Sequence, residues 1–336
     1  LARFGGAQVR VVTDRDGYFR IHLNPRALPA PGDGPWYEVA LTLESDPPIE
    51  AIGFVFIPPT ESGFVVISDI DDTVMRTGVA NKLTMLWRLF VEDAESRVAF
   101  PGVAALYRAL HAGPAGAGAN PMLYVSRAPW GLYEMLTEFF RRHGIPAGPV
   151  LFLREWGLSW THPLPRRATD HKQALIGHML SLYRTQPFVL IGDSGQHDPE
   201  VYAGIVAAHP GRVRAVYIRN VSKGRGRVEE IARLAGAVAA AGSSLVLAAD
   251  SIAIAAHAAE TGLIAPEAVA AVADEHQAGE VLRPRPETVH IAPPPTEGDI
   301  DLAPDVMAAF TRDGAVPATV VVSPQDPSAP ARSGTA

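Results

Sequence analysis

Cysteine is absent from all 336 residues. That excludes disulfides, thiolate metal sites and cysteine nucleophiles, and it accords with a reducing, cytoplasmic setting. No uninterrupted apolar run is long enough to cross a bilayer, and no signal-peptide pattern is found, so no transmembrane segment is expected. Basic charge is not in excess either. The 29 Lys and Arg against 36 Asp and Glu leave a net charge of -7, which argues against nonspecific nucleic-acid binding. No internal repeat stands out. What remains is ordinary for a globular chain: 47% hydrophobic and 19% charged residues, in a length that suits two or three domains.

Residues 1–62 read as a small antiparallel β-sandwich. "AQVRVVTDRDGYFRIHL" alternates apolar and polar residues on both sides of Asp-Arg-Asp-Gly, a hairpin signal, and "WYEVALTLES" and "AIGFVFIPP" add two more strand-like runs. Asp14 and Asp16 are taken as turn residues rather than calcium ligands. From 63 to 264 the pattern changes. The apolar strands "FVVIS", "MLYVS", "VLFL", "FVLIG" and "VRAVYI" alternate with the helix-period segments "VAALYRALHAG", "GLYEMLTEFFRRHG" and "HKQALIGHMLSLYR", and "SLVLAADSIAIAAHAAETG" supplies a further strand–helix pair. This is the pattern of a parallel sheet covered by helices on both faces. Residues 265–336 read as a short helix followed by a disordered tail, because "RPRPETVHIAPPPTEGD" and "SPQDPSAPARSGTA" are dense in proline and have little to bury.

The conspicuous stretch is "VVISDIDDTVMRTG", where an apolar strand ends in Asp69, Asp71 and Asp72, followed by Thr73. Strands disfavour Asp and carboxylates repel one another, so this strand end needs a chemical reason. Ligands of open parallel sheets bind beyond the carboxyl ends of the strands. The other expected strand ends and helix starts there carry Ser126-Arg127, His171-Lys172 and "GDSGQHD", with Asp193 and Asp198. The set suits phosphoryl transfer through an aspartyl-phosphate. Asp69 needs no deprotonation to attack phosphorus. Asp71, its pKa raised by crowding, can protonate the leaving alcohol and then activate water. Magnesium suits the hard oxygen ligands of Asp69, the Asp71 carbonyl and Asp193. Ser126 can donate to a phosphoryl oxygen, and Lys172 can neutralise that group and the nucleophile. Asp198 before Pro199 also fits an N-cap.

"SDIDDTV", "YVSRAPW" and "LIGDSGQHDPEVY" resemble the catalytic domain of phosphatidate phosphatases of the actin-patch-associated type, within the haloacid-dehalogenase superfamily. The resemblance covers residues 63–264, and the β region before it is similar to the N-terminal part of bacterial members. It implies a haloacid-dehalogenase-like Rossmannoid fold and a magnesium-dependent phosphatidate phosphatase. In that reading Asp69 is the nucleophile, Asp71 the acid/base, Ser126 and Lys172 the phosphate-binding pair, and Asp193 a metal ligand. Thr73 joins the catalytic set and Asp198 the metal set. "SRAPW" departs from the "SNSPW" commoner in the family; Arg127 there is a candidate contact to substrate phosphate, and the departure leaves substrate identity more open. The intervals from Asp69 to Ser126 and from Ser126 to Lys172 are too short for a large cap, and an uncapped site suits a bulky or membrane-held substrate better than a small metabolite. "REWGLSWTHPLPRRATDHK" supplies Arg154 and Trp156 as candidate headgroup and interface contacts, and peripheral membrane contact is expected with them. A buried tryptophan loop with solvated arginines explains that segment equally well.

Rival readings of these residues fit less well. An EF-hand loop starting at Asp69 fails, because its sixth and twelfth positions are Val74 and Ala80 rather than Gly and Glu. A phospho-receiver also uses an acidic cluster, a hydroxyl and a lysine, but it leaves "GDSGQHD" without a purpose, and a scaffold protein binding through the β region and the proline-rich tail leaves the aspartates unexplained. "KGRGR" at 223–227 lacks the glycine pattern of a nucleotide loop and reads as a solvated basic loop.

Overall fold

The computed structural model describes residues 1–14, 17–28, 34–59, 62–70, 73, 100–116, 118–126, 130–152, 168–222, 224–281 and 320–322, with backbone alone for 168–170, 280–281 and 320–322. The N-terminal part is one four-stranded antiparallel sheet. Its strands are β1 (Ala2–Phe4), β2 (Ala7–Val9), β3 (Trp36–Leu43) and β4 (Ile49–Phe56), in the order β2-β1-β3-β4. The expected sandwich is corrected here, since no second sheet packs on this one among the described residues. Ile52 and Phe54 on its open side are accordingly 61% and 64% exposed.

The hairpin also falls elsewhere. Gly5 and Gly6, with φ of 54° and 75°, make the two-residue turn that pairs Phe4 with Ala7. Two successive positive φ values are what a tight hairpin of this hand requires, and glycine reaches them without strain. Asp14 does serve a turn, its Oδ1 accepting from the Tyr18 amide at 2.9 Å, but the segments flanking it form no strands. Asp16 lies outside the described residues.

The larger sheet runs β11-β10-β9-β8-β5-β6-β7. Its parallel members are β5 (Val65–Asp69), β6 (Met122–Ser126), β7 (Val150–Phe152), β8 (Phe188–Asp193), β9 (Val213–Arg219) and β10 (Ser244–Ala248). Each lies within a residue of its expected limits, and β8 and β9 extend far enough to include Asp193 and Arg219. The edge strand β11 (Val320–Val322) pairs antiparallel with β10. It is an element that the proline-rich reading of the tail does not contain.

Helices α1 (Val103–Ala112), α2 (Tyr133–Arg142), α6 (Ser251–Glu260) and α7 (Ala268–Val281) cover one face around Val66, Tyr124, Val189 and Val246. Helices α3 (Ala168–Leu182), α4 (Asp198–Ala208) and α5 (Arg225–Ala240) cover the other around Ile67, Leu190, Tyr202 and Val216. The strands are buried on both faces, which is why they read as continuous apolar runs rather than alternating ones. Each fully buried Val, Leu or Ile contributes about 1.5–3 kcal/mol.

Two polar devices fix the scaffold. Asn120 is buried, accepts from the Gly63 and Phe64 amides and donates to the Leu110 carbonyl, so it ties the start of β5 to α1 and to the approach to β6. Glu275 of α7 accepts from the Ala105 amide at 3.0 Å and pairs with Arg108 at 2.6 Å. It thereby caps α1, whose own N-cap, Gly102, has no side chain to do so. At the end of α2, Glu138 bridges Arg141 and Arg142, and the Ile145 amide reaches back to Phe140 past Gly144 with φ 62°.

The chain leaves β5 for β6 and β7 on one side, then crosses back to β8, β9 and β10 on the other. The carboxyl end of β5 is therefore the point where the strand order reverses, which is where an open parallel sheet leaves a crevice. Asp69 is the last residue of β5.

Candidate active site

Asp69, Asp193 and Asp198 converge at this crevice. All three are buried, and one carboxylate oxygen from each lies within 4.8 Å of the others. Lys172 reaches them from α3. Its ammonium donates to Asp69 Oδ1 at 2.8 Å and to Asp198 Oδ1 at 2.5 Å, and its side chain is only 2% exposed. The ammonium also lies 5.4 Å from the centre of the Tyr202 ring.

The loop after β8 is what brings two of the aspartates in. Asp193 Oδ1 accepts from the amides of Gly195 and Gln196 at 2.7 and 3.0 Å, so the carboxylate folds its own loop around itself. Asp198 Oδ2 in turn accepts from the Asp193 amide at 3.3 Å. Glycine at 192 makes this closure possible. A Cβ there would fall 2.2 Å from Asp198 Oδ2 and 2.8 Å from Asp198 Cβ, closer than atoms can approach. The N-cap reading of Asp198 is thereby corrected. Helix α4 has His197 at its N-cap without a side-chain cap, and the Asp198 carboxylate points to Lys172 and Asp193 instead.

Burial alone would drive the Lys172 pKa down, but Asp198 and then Asp69 outweigh it, so the group stays charged with a pKa well above the ordinary lysine value. Burial pushes the Tyr202 phenol up, and Asp198 beside it adds to that. The phenol thus stays protonated and donates to the Ile191 carbonyl at 3.1 Å. Behind the strand end, the Ser68 hydroxyl donates to the Asp69 carbonyl at 2.8 Å and sits 2.5 Å from the Tyr107 hydroxyl.

Of the residues singled out from the sequence, Asp69, Lys172, Asp193 and Asp198 are brought together. Ser126 ends β6, fully buried, one position beyond Val125, the register partner of Asp69. Thr73 is buried, and its hydroxyl has no hydrogen-bond partner among the described residues. Asp71, Asp72, Arg127, Arg154 and Trp156 lie outside the described residues. Sequence reasoning missed Tyr202, whose position on α4 reads as ordinary core. The solvated-loop reading of 223–227 is overturned at Arg227, which begins in the first turn of α5 and turns its guanidinium inward, leaving the side chain 20% exposed. Lys223 lies outside the described residues.

The donor set bears on a metal. Lys172 brings one positive charge to three buried carboxylates, so a hard divalent cation with oxygen preference fits the negative charge that remains. A parallel sheet presenting such a cage at its switch point is consistent with the haloacid-dehalogenase superfamily. Residues 64–220 match the family model described as the catalytic domain of phosphatidate phosphatase APP1. Phosphatidate phosphatase APP1 of Saccharomyces cerevisiae is 30% identical over 176 residues, covering 52% of this chain and 28% of the yeast protein. An uncharacterized protein of Schizosaccharomyces pombe is 29% identical over 167 residues, covering 48% of this chain and 26% of its own length. The chain thus spans little more than a quarter of these curated relatives. Residues 64–220, a little under half of the chain, are thus similar to the phosphatidate phosphatase catalytic domain.

Proposed function

We propose that this protein is a magnesium-dependent phosphohydrolase acting through a phosphorylated Asp69, with phosphatidate or a related phospholipid as substrate and diacylglycerol as product. The observation that carries the reading is the buried cage of Asp69, Asp193, Asp198 and Lys172 inside a segment that matches a phosphatase catalytic-domain model.

In this mechanism the Asp69 carboxylate attacks phosphorus, the bond to the leaving alcohol oxygen breaks, and Asp71 supplies the proton that oxygen takes. A water then gives its proton to Asp71 and attacks the phosphoryl group, releasing phosphate and restoring Asp69. Lys172 holds the Asp69 carboxylate in place with its 2.8 Å hydrogen bond and balances charge on the transferring group. Ser126 donates to a phosphoryl oxygen. Asp69, Asp193, Asp198 and the Asp71 carbonyl would hold magnesium, which when bound neutralises the charge that builds on the phosphoryl oxygens. Arg127, Arg154 and Trp156 are assigned to the headgroup and the membrane interface, with peripheral membrane contact as the corollary. No helix among the described residues is long and apolar enough to cross a membrane.

The test is phosphate release, with magnesium present, from an aryl phosphate and from phosphatidate in mixed micelles, with Asp69→Asn alongside. Release from phosphatidate that vanishes in the variant supports the whole reading. Release from the aryl ester alone removes the lipid, and release from neither removes the enzyme.

A further inference from the structure

The acidic loop between β8 and α4 is gripped from outside the segment that the family model matches. Arg227, in the first turn of α5, donates from Nε to the Ser194 carbonyl at 3.0 Å and from one terminal nitrogen to the Gln196 carbonyl at 2.7 Å. The same guanidinium forms a two-pronged pair with Glu200 on the first turn of α4, and it also meets Glu230 at 2.8 Å.

The placement of these contacts matters more than their number. Gln196, whose carbonyl Arg227 holds, is the residue whose amide donates to Asp193 Oδ1. Glu200 follows Asp198 by half a helical turn. One rigid, planar guanidinium therefore ties the loop that orients the Asp193 carboxylate to the helix that carries Asp198. The loop before α5 assists. Ser194 Oγ accepts from the Val221 and Ser222 amides, both at 3.0 Å.

We infer that Arg227 is a positioning residue for the metal site: it fixes the separation of the Asp193 and Asp198 carboxylates, and so sets affinity for the divalent cation without touching cation or substrate. The inference rests on the proposed reading of the three aspartates as a metal site. Groups behind metal ligands typically change metal affinity by about 10–100-fold when removed.

The test is calorimetric titration of the full chain with manganese, as a magnesium surrogate, without substrate, for wild type, Arg227→Ala, Arg227→Lys and Glu200→Gln. Thermal melting accompanies it so that titrations are made below unfolding. The expected result is a manganese Kd raised about tenfold in Arg227→Ala. Smaller rises are expected in Arg227→Lys, whose point charge reaches one partner rather than four, and in Glu200→Gln. In turnover, the magnesium activation constant should rise by the same factor while KM for an aryl phosphate at saturating magnesium stays put. A residue that served folding alone would lower the melting temperature and leave manganese Kd unmoved, and that outcome overturns the inference. If Arg227→Ala does not fold, wild-type affinity in both remaining variants overturns it equally. Absence of manganese binding by the wild-type chain removes the metal reading itself and this inference with it, whereas binding that is indifferent to Arg227 removes the inference alone.

Discussion

Lys172→Met separates the two jobs assigned to this lysine. Methionine keeps most of the apolar stem and removes the ammonium, leaving Asp69 and Asp198 without the donor that lies 2.8 and 2.5 Å away. All three groups are buried, so water cannot take over the lost interaction. Removing one member of a buried, hydrogen-bonded ion pair costs about 3–5 kcal/mol. At about 2–4 °C per kcal/mol for a domain of this size, the melting temperature should fall by about 6–20 °C at pH 7. The Lys172 pKa lies above that of a free lysine, so its stabilising effect is complete below about pH 10 and fades only as pH rises through the folded value. The deficit should therefore be constant across neutral pH and narrow only as pH rises through the folded Lys172 value, where wild type loses the same charge. Urea unfolding and thermal melts across neutral and alkaline pH would measure it, and added magnesium should recover part of the loss at pH 7. A variant as stable as wild type at pH 7, or a deficit that widens as pH rises past about 10, would refute the electrostatic account of the cage.

Three further outcomes are expected. Gly192→Ala drives a methyl group into Asp198 and should cost about 1–3 kcal/mol with a large loss of turnover, read by melting and phosphate release together. Asp71→Asn should lower turnover by about 10²–10⁴-fold with little change in melting temperature, because the task assigned to its side chain is proton transfer and the backbone carbonyl is kept. Glu275→Ala uncaps α1 and releases Arg108, which should lower stability by about 1 kcal/mol while phosphate release per folded molecule is unchanged.

The parallel sheet was legible because strands buried on both faces write themselves as runs such as "FVVIS" and "FVLIG", bounded by helices of clear period. Asp69 stood out for a different reason: an apolar run that ends in aspartate contradicts the structural preferences of a strand, and the structure places that residue beside Asp193, Asp198 and Lys172. The N-terminal hairpin was misplaced because Asp-Arg-Asp-Gly and Gly-Gly are both turn signals. Only the long-range pairing of β1 with β3 decides that the ladder forms at Gly5-Gly6. Asp198 looked like a cap because Asp before Pro is the local signature of one. Its true partner, Lys172, is 26 residues away in sequence. Arg227 failed to show for the same reason. "KGRGR" is solvated by composition, and only the packing of α5 against α4 turns one of its arginines onto the acidic loop.

The central claim is that Asp69 carries the phosphoryl group during turnover. The most direct measurement is acid quenching of the working enzyme with an aryl phosphate, borohydride reduction, and peptide mass spectrometry across residues 64–73. An acyl phosphate at Asp69 is reduced to homoserine, so the account predicts homoserine at position 69 in substrate-treated enzyme and aspartate there in the untreated control. Aspartate intact at position 69 in a preparation caught turning substrate over, or the reduced residue found at another carboxylate, would contradict it.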